Sequence, residues 1–332
     1  MRYVRLAGSE LTVSVLGLGC GNFGGIGSAP ELFGRGDDEA TAFMLMDAAY
    51  GHGITLFDTA NSYGGGRSES WIGGWLASRR VRDEVVLTTK VRNRVGPRPE
   101  DEGLSARHIR EQVEASLRRL GTDRIDLYLA HEPDSRVPVE ETVATFDELV
   151  RSGKVRHYGL SNFTGDQLGE VADTAARLGA AGPVNLQSGY SLLDRAAAEA
   201  FDACTRHDVA FTAYSPLAGG WLSGKYRPGQ PYPAGSRMTL RPQPYQHWVN
   251  ETTFHALDAF DAYAARRGVP SPTLALAWVL GDPAVAAIVL GPRQPEQLLP
   301  ALAALDLPLT AHERAELVAL ISEQDPNQPP NV

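Results

Sequence analysis

The feature that most limits what this chain can become is an alternation, repeated about eight times, of short β-rich runs with longer segments of helical spacing. The runs lie at 14–18, 54–57, 84–89, 125–130, 155–159, 184–186, 209–213 and 286–289. Helical patterns at 38–52, 68–78, 106–120, 138–152 and 196–207 fall between them. Continuous apolar strands separated by helices suit a parallel sheet covered on both faces. Eight such units suggest an α/β fold closed as a (β/α)8 TIM barrel, although an open doubly wound sheet has the same periodicity. A barrel of this kind needs about 250 residues. The 332 residues, 43% of them apolar, can supply it with a full core and extra loops.

No composition break divides the chain, so residues 1–332 read as one barrel domain. A β-hairpin opens it at 3–13, around Gly8-Ser9. After the seventh strand comes a long loop, 215–247, rich in Pro, Gly and Arg, which on a barrel would cover the mouth. The tail at 325–332, rich in Pro and Asn, reads as loose. The apolar stretch 268–292 has the length of a membrane span, but Pro270, Pro272 and Pro283 punctuate it. A helix at 273–280 and a strand at 284–290 account for it as core.

The net charge of −9 argues against general affinity for nucleic acid or an anionic membrane. Cys20 and Cys204 are the only cysteines and lack metal-ligand spacing, so a disulfide scaffold and a zinc site are both disfavoured. A reducing cytoplasmic setting is the default reading, with homo-oligomerisation left open.

Polar residues concentrate where the runs end. Asp58, Lys90, His131, Ser161 with Asn162, Gln187 and Tyr214 follow six successive runs. Alone, any of them could be a turn former, a solvated charge or a satisfied core group. In a (β/α)8 barrel all six ends converge on the face where such enzymes do their chemistry. These residue types suit carbonyl reduction. No side chain can supply a hydride, so a cofactor must. Tyr63, in a Gly-rich loop, could protonate the oxygen if Lys90 stabilised its anion and Asp58 held Lys90 charged. His131 could orient the carbonyl oxygen.

The segments Asp58-Thr-Ala-Asn-Ser-Tyr63-Gly64, Leu87-Thr-Thr-Lys90, Asp126-Leu-Tyr-Leu-Ala-His131, Gly153-Lys-Val-Arg156, Gly159-Leu-Ser-Asn162 and Tyr214-Ser-Pro-Leu217 together resemble the aldo-keto reductase superfamily. The likeness runs from about residue 4 to 305 in the family's order. Residues 216–226 are most similar to the aflatoxin-aldehyde reductase branch and share features with potassium-channel β-subunits.

The resemblance implies a catalytic set of Asp58, Tyr63, Lys90 and His131 acting on a small-molecule carbonyl substrate with NADPH, or with NADH as a weaker alternative. It places the nicotinamide against Ser161, Asn162, Gln187 and Tyr214, with Asp58 close by. It puts the pyrophosphate under Ser215, Pro216, Leu217 and Gly219, and the 2′-phosphate near Lys225 and Arg237. The segment Gly291-Pro-Arg293-Gln-Pro-Glu-Gln297 follows the family's last phosphate loop, with Gly291, Arg293 and Gln297 as contacts. A helix start there would favour an anion in any case. Two adenine contacts of the family are replaced by Pro300 and Ala301.

Three rival readings are weaker. Gly19-Cys-Gly21-Asn-Phe-Gly24 has the spacing of a dinucleotide fingerprint, but residues 25–36 contain Pro30 and read as loop. Gly21 and Asn22 therefore belong to the barrel mouth. A metal-dependent hydrolase would want clustered ligands at strand ends, where this chain has Lys90. A nicotinamide-binding regulatory subunit with little turnover is allowed by the channel-subunit likeness.

Overall fold

A computed structural model describes residues 1–322, so the tail at 325–332 lies outside the described residues. The chain opens with a hairpin of β1 (Tyr3–Arg5) and β2 (Thr12–Ser14). Eight strands then form a closed barrel: β3 (Leu16–Gly19), β4 (Leu56–Asp58), β5 (Val86–Val91), β6 (Ile125–Ala130), β7 (Val155–Ser161), β8 (Asn185–Gly189), β9 (Ala210–Tyr214) and β10 (Val285–Leu290). They stand in chain order around the ring, and β10 closes it by pairing in parallel with β3. Every residue of β6 is buried, as expected of a strand covered on both faces.

By packing, the chain falls into two compact units. The first comprises Met1–Ser188, Ala197–Tyr214 and Ala284–Leu298 and holds the barrel with α1 (Glu39–Gly51), α2 (Arg67–Arg79), α3 (Ala106–Leu120), α4 (Val139–Arg151), α5 (Gly165–Leu178) and α6 (Phe201–Arg206). Local chemistry sets the helix ends. Ser105 accepts the His108 N–H at the start of α3, and Gly121, at φ 61°, ends it in a conformation that costs glycine little. Thr164 and Gln167 make a reciprocal capping box on α5. One end of the barrel is filled by the hairpin: Leu6, Leu11 and Val13 pack with Leu56, Leu127, Leu129, Val184, Ala210 and Ala287.

The second unit comprises Gly189–Ala196, Ser215–Pro283 and the chain from Leu299. It contains α7 (Arg237–Leu240), α8 (Glu251–Arg266), α9 (Ser271–Leu280), α10 (Leu299–Ala304) and α11 (Ala311–Ser322). The segment 215–247 is less of a loop than its composition predicts. Short 3-10 turns at Ala218–Ser223 and Gln243–Trp248 flank α7. Trp221 is fully buried, with ring centroids of Tyr226 at 5.1 Å, Phe254 at 5.6 Å and Trp248 at 6.1 Å. These aromatic residues give the segment a core of its own. Among the described residues no helix is long and apolar enough to cross a membrane, and 268–292 divides into α9 and β10.

Candidate active site

Parallel register brings the first two charged groups together. Asp58, the last residue of β4, aligns with Thr88 of β5, so Lys90, two residues on, faces the same side of the sheet. Lys90 Nζ donates to Asp58 Oδ1 at 2.6 Å and to the Thr59 carbonyl at 3.0 Å, with the two side chains only 1% and 5% exposed. The sequence pattern puts both residues just past their strands. Instead Asp58 ends β4 and Lys90 lies inside β5, because the ion pair lets two charges occupy a barrel layer that would otherwise be apolar. Burial pulls the Lys90 ammonium towards neutrality, but Asp58 and Tyr63 more than reverse this and hold its pKa above the ordinary lysine value.

Tyr63 and His131 complete the group. His131 directly follows β6 and is tied to β5 by its peptide N–H, which donates to the Val91 carbonyl at 2.8 Å. The rings of Tyr63 and His131 meet edge-on at 5.6 Å, and Lys90 Nζ lies 5.3 Å from the Tyr63 ring centroid. Packing around the Tyr63 phenol pushes its pKa up by more than Lys90 pulls it down, with Asp58 adding to the rise. The net shift is therefore opposite to the one the sequence suggests. The phenol stays protonated near neutrality, the state a proton donor needs. Burial, then the charges of Lys90 and Arg92, hold the His131 imidazole well below its ordinary pKa, so it is neutral.

The residues expected against a nicotinamide form one network with this group. Asn162, a non-glycine residue at φ 63°, donates its amide to the His131 carbonyl at 3.0 Å and to Ser161 Oγ at 3.2 Å. Its Oδ1 accepts the Tyr214 hydroxyl at 2.8 Å, and its peptide N–H donates to the Gln187 carbonyl at 3.0 Å. Gln187 Nε2 donates to Asp58 Oδ2 at 2.8 Å, so that carboxylate is bonded on both oxygens. Gly21 lies where a Cβ would come 3.5 Å from the Tyr63 ring, and Asn22 is buried nearby in sequence. The first α-helix after β3 is α1, from Glu39, preceded only by a 3-10 turn at Pro30–Leu32, so 19–24 opens into a loop and not into a helix.

In the segment 291–297, Gln297 Oε1 accepts the Arg293 peptide N–H at 2.7 Å. The Arg293 side chain pairs through Nε with the buried Asp37 at 3.0 Å. Part of its charge is thereby neutralised within the protein, which the sequence could not reveal. Gly291 passes close to Asn22, 3.9 Å from its Nδ2 to a notional Cβ.

The second unit carries the remaining expected contacts. Ser215, Ala218, Gly219 and Gly220 have φ of 54°, 51°, 64° and 97°. The carbonyls of Ser215 and Leu217 are capped locally by the N–H groups of Ala218 and Gly220, both at 2.8 Å, in a turn that starts at Pro216. The positive φ values of Ala218, Gly219 and Gly220 turn the backbone sharply, and the Ala218 and Gly220 N–H groups are engaged within that turn. A Cβ at Gly220 would fall 2.4 Å from Lys225 Nζ, so glycine there leaves room for the ammonium. The Lys225 pKa lies below the lysine norm, through desolvation first and then the charge of Arg237. Two neighbouring cations that repel each other favour a dianion between them.

Sequence reasoning missed Asn93, Ser28 and Ser62. Asn93 Nδ2 lies 3.3 Å from His131 Nδ1 and 3.4 Å from Ser28 Oγ, which in turn lies 2.7 Å from Ser62 Oγ. The available signal was spacing: Asn93 falls three residues after Lys90, just past the end of β5. Among the described residues no cluster of three or more His, Cys, Asp or Glu could hold a metal ion. Beside Asp58, the Lys90 ammonium stands where a cation would. A cavity of about 260 Å³ is lined by Glu10, Thr12, Asp83, Arg124 and Arg156 and holds none of these groups.

A barrel whose strand ends bring together a tyrosine, a buried lysine–aspartate pair and a neutral histidine defines a class of oxidoreductase, and the chain belongs to the aldo/keto reductase family, whose profile matches residues 15–322. It is 39% identical over 320 residues to the uncharacterized oxidoreductase YrpG of Bacillus subtilis, covering 93% of this chain and 92% of that protein. It is 31% identical to a probable voltage-gated potassium channel subunit beta of Arabidopsis thaliana, covering 99% of each. It is 33% identical to protein tas of Escherichia coli, covering 96% of this chain and 97% of tas.

Proposed function

We propose that this protein reduces an aldehyde or ketone to the alcohol, reversibly, with NADPH as the preferred cofactor and Asp58, Tyr63, Lys90 and His131 as its catalytic group. The observation that carries this reading is the Lys90–Asp58 pair, 2.6 Å long and buried, beside the Tyr63 ring. The four side chains can hold and move a proton, but none can give up a hydride. A nicotinamide cofactor, when bound, supplies that hydride to the carbonyl carbon. The fit rests on the chain's own shape: Gly220, where a Cβ would fall 2.4 Å from Lys225 Nζ, keeps space clear around that ammonium. We assign the 2′-phosphate to Lys225 and Arg237; burial, then the Arg237 charge, depresses the Lys225 pKa.

Tyr63 holds its proton until the carbonyl oxygen becomes basic, then donates it. Lys90 stabilises the phenolate left behind, and Asp58 keeps Lys90 charged throughout. Neutral His131 donates a hydrogen bond to the same oxygen as charge develops on it. Gln187 and Thr59 hold the ion pair in place.

The test is a carbonyl panel with NADPH and NADH, using wild type and Tyr63→Phe. Wild type should consume NADPH steadily, and Tyr63→Phe should lose turnover but still bind NADPH, since only the acid is removed. Near-normal turnover in Tyr63→Phe removes Tyr63 from this role. The second reading, a nicotinamide-binding regulatory subunit, draws on the likeness to proteins named as potassium channel β-subunits. Tight NADPH binding with negligible turnover across the panel would favour it.

A further inference from the structure

His131 can stabilise a carbonyl oxygen only if its proton sits on the ring nitrogen that faces the substrate. A neutral imidazole carries one proton and has two places for it, and the partner of the other nitrogen decides between them. The partner of Nδ1 here is an amide. Asn93 Nδ2 lies 3.3 Å from His131 Nδ1, and an amide nitrogen only donates, so Nδ1 must accept. The proton is then left on Nε2.

The amide is itself held. Asn93 Nδ2 has two hydrogens, and the second points to Ser28 Oγ at 3.4 Å. Ser28 Oγ lies 2.7 Å from Ser62 Oγ. Ser28 Oγ accepts from Asn93 and shares a second hydrogen bond with Ser62 Oγ, in which either hydroxyl can be the donor. Ser62 immediately precedes Tyr63. The relay therefore links the loop that carries the phenol to the ring that shares its task, through the loop after β3.

We propose that Asn93 is a positioning residue that fixes His131 in its Nε2-protonated form, with Ser28 and Ser62 setting the direction of the Asn93 amide. Its consequence for turnover rests on the carbonyl-reductase reading above, but the protonation pattern does not. Asn93→Asp replaces a donor with an acceptor and should draw the proton onto Nδ1, so that Nε2 can no longer donate. Losing one preorganised donor to a developing oxyanion costs about 10²–10³-fold in kcat. The loss should fall on kcat, with KM changed only a few-fold, because the bond strengthens as charge builds. Ser28→Ala should give a smaller loss, since Asn93 keeps its place but not its fixed direction.

The decisive measurement is the nitrogen NMR pattern of His131 in protein labelled at histidine, with the signal assigned by its absence in His131→Gln. Wild type should show a protonated Nε2 and a bare Nδ1. Asn93→Asp should reverse the pattern. Asn93→Leu, similar in size and unable to donate, covers the case in which Asn93→Asp does not fold, and should abolish the preference for Nε2. A wild-type proton on Nδ1, or an unchanged pattern in either folded variant, overturns the proposal. A protein that reduces no carbonyl yet shows the reversal refutes the reductase reading and leaves the positioning role intact. A protein that reduces carbonyls but shows no reversal refutes only the positioning role.

Discussion

Replacing Lys90 by Met removes one partner of a buried ion pair and leaves a chain of similar length in its place. Asp58 then keeps its bond from Gln187 at 2.8 Å but loses the one at 2.6 Å from the ammonium, with its side chain only 5% exposed. A buried carboxylate stripped of its cation typically costs about 3–5 kcal/mol. Much of this is the penalty of the orphaned charge and not the worth of the pair. Lys90→Met combined with Asp58→Asn should therefore recover about 2 kcal/mol or more relative to the sum of the single changes, as expected for coupled neighbours. The assay is urea denaturation followed by tryptophan fluorescence, with midpoints compared across the four-member cycle. A Lys90→Met loss of under about 1 kcal/mol at pH 8, or a cycle in which the losses simply add, would refute the view that this is a dry, mutually dependent pair.

Two further outcomes can be checked alongside it. Lys225→Ala with Arg237→Ala should weaken NADPH binding by about 1.5–3 kcal/mol for each charge-assisted hydrogen bond removed and leave NADH nearly unchanged, as read by calorimetric titration; equal weakening for both cofactors would place the 2′-phosphate elsewhere. His131, neutral when folded and ordinary when unfolded, favours the native state fully above pH 6.5. Below that the unfolded chain takes the proton first, and stability should fall by up to about 1.4 kcal/mol per pH unit. His131→Gln should remove that part of the slope between pH 6.5 and 5, leaving what His108, also lowered by burial, contributes; an unchanged slope would show that His131 is protonated as easily folded as unfolded.

The strand order is readable because each barrel strand is a short apolar run, and the run at 125–130 coincides with β6 from end to end. Boundaries fail where charge enters a strand. Lys90 looks like a terminus because its compensating carboxylate, Asp58, lies 32 residues away in sequence. Helices at Gly165–Leu178 and Glu251–Arg266 escape the sequence pattern, and 215–247 reads as loop. Its Pro and Gly content hides an aromatic nucleus around Trp221 that only packing reveals. The juxtaposition of Asp58, Tyr63, Lys90 and His131 is legible by residue type and position together. The direction of the Tyr63 shift is not, since it turns on how burial compares with one nearby charge. Pairings such as Arg293 with Asp37, 256 residues apart, leave no local signature.

The pairing of Leu16 with Ile288 also has a consequence for synthesis. The first and last staves of the cylinder lie about 270 residues apart, and a ribosome adding roughly 5–20 residues per second needs about 15–55 s to travel between them. Until β10 is made, any sheet the earlier strands form has two bare edges, the kind of surface that recruits other strands. Ring closure waits on the emergence of Val285–Leu290, and any stop before that point leaves an open, adhesive sheet in place of a smaller barrel.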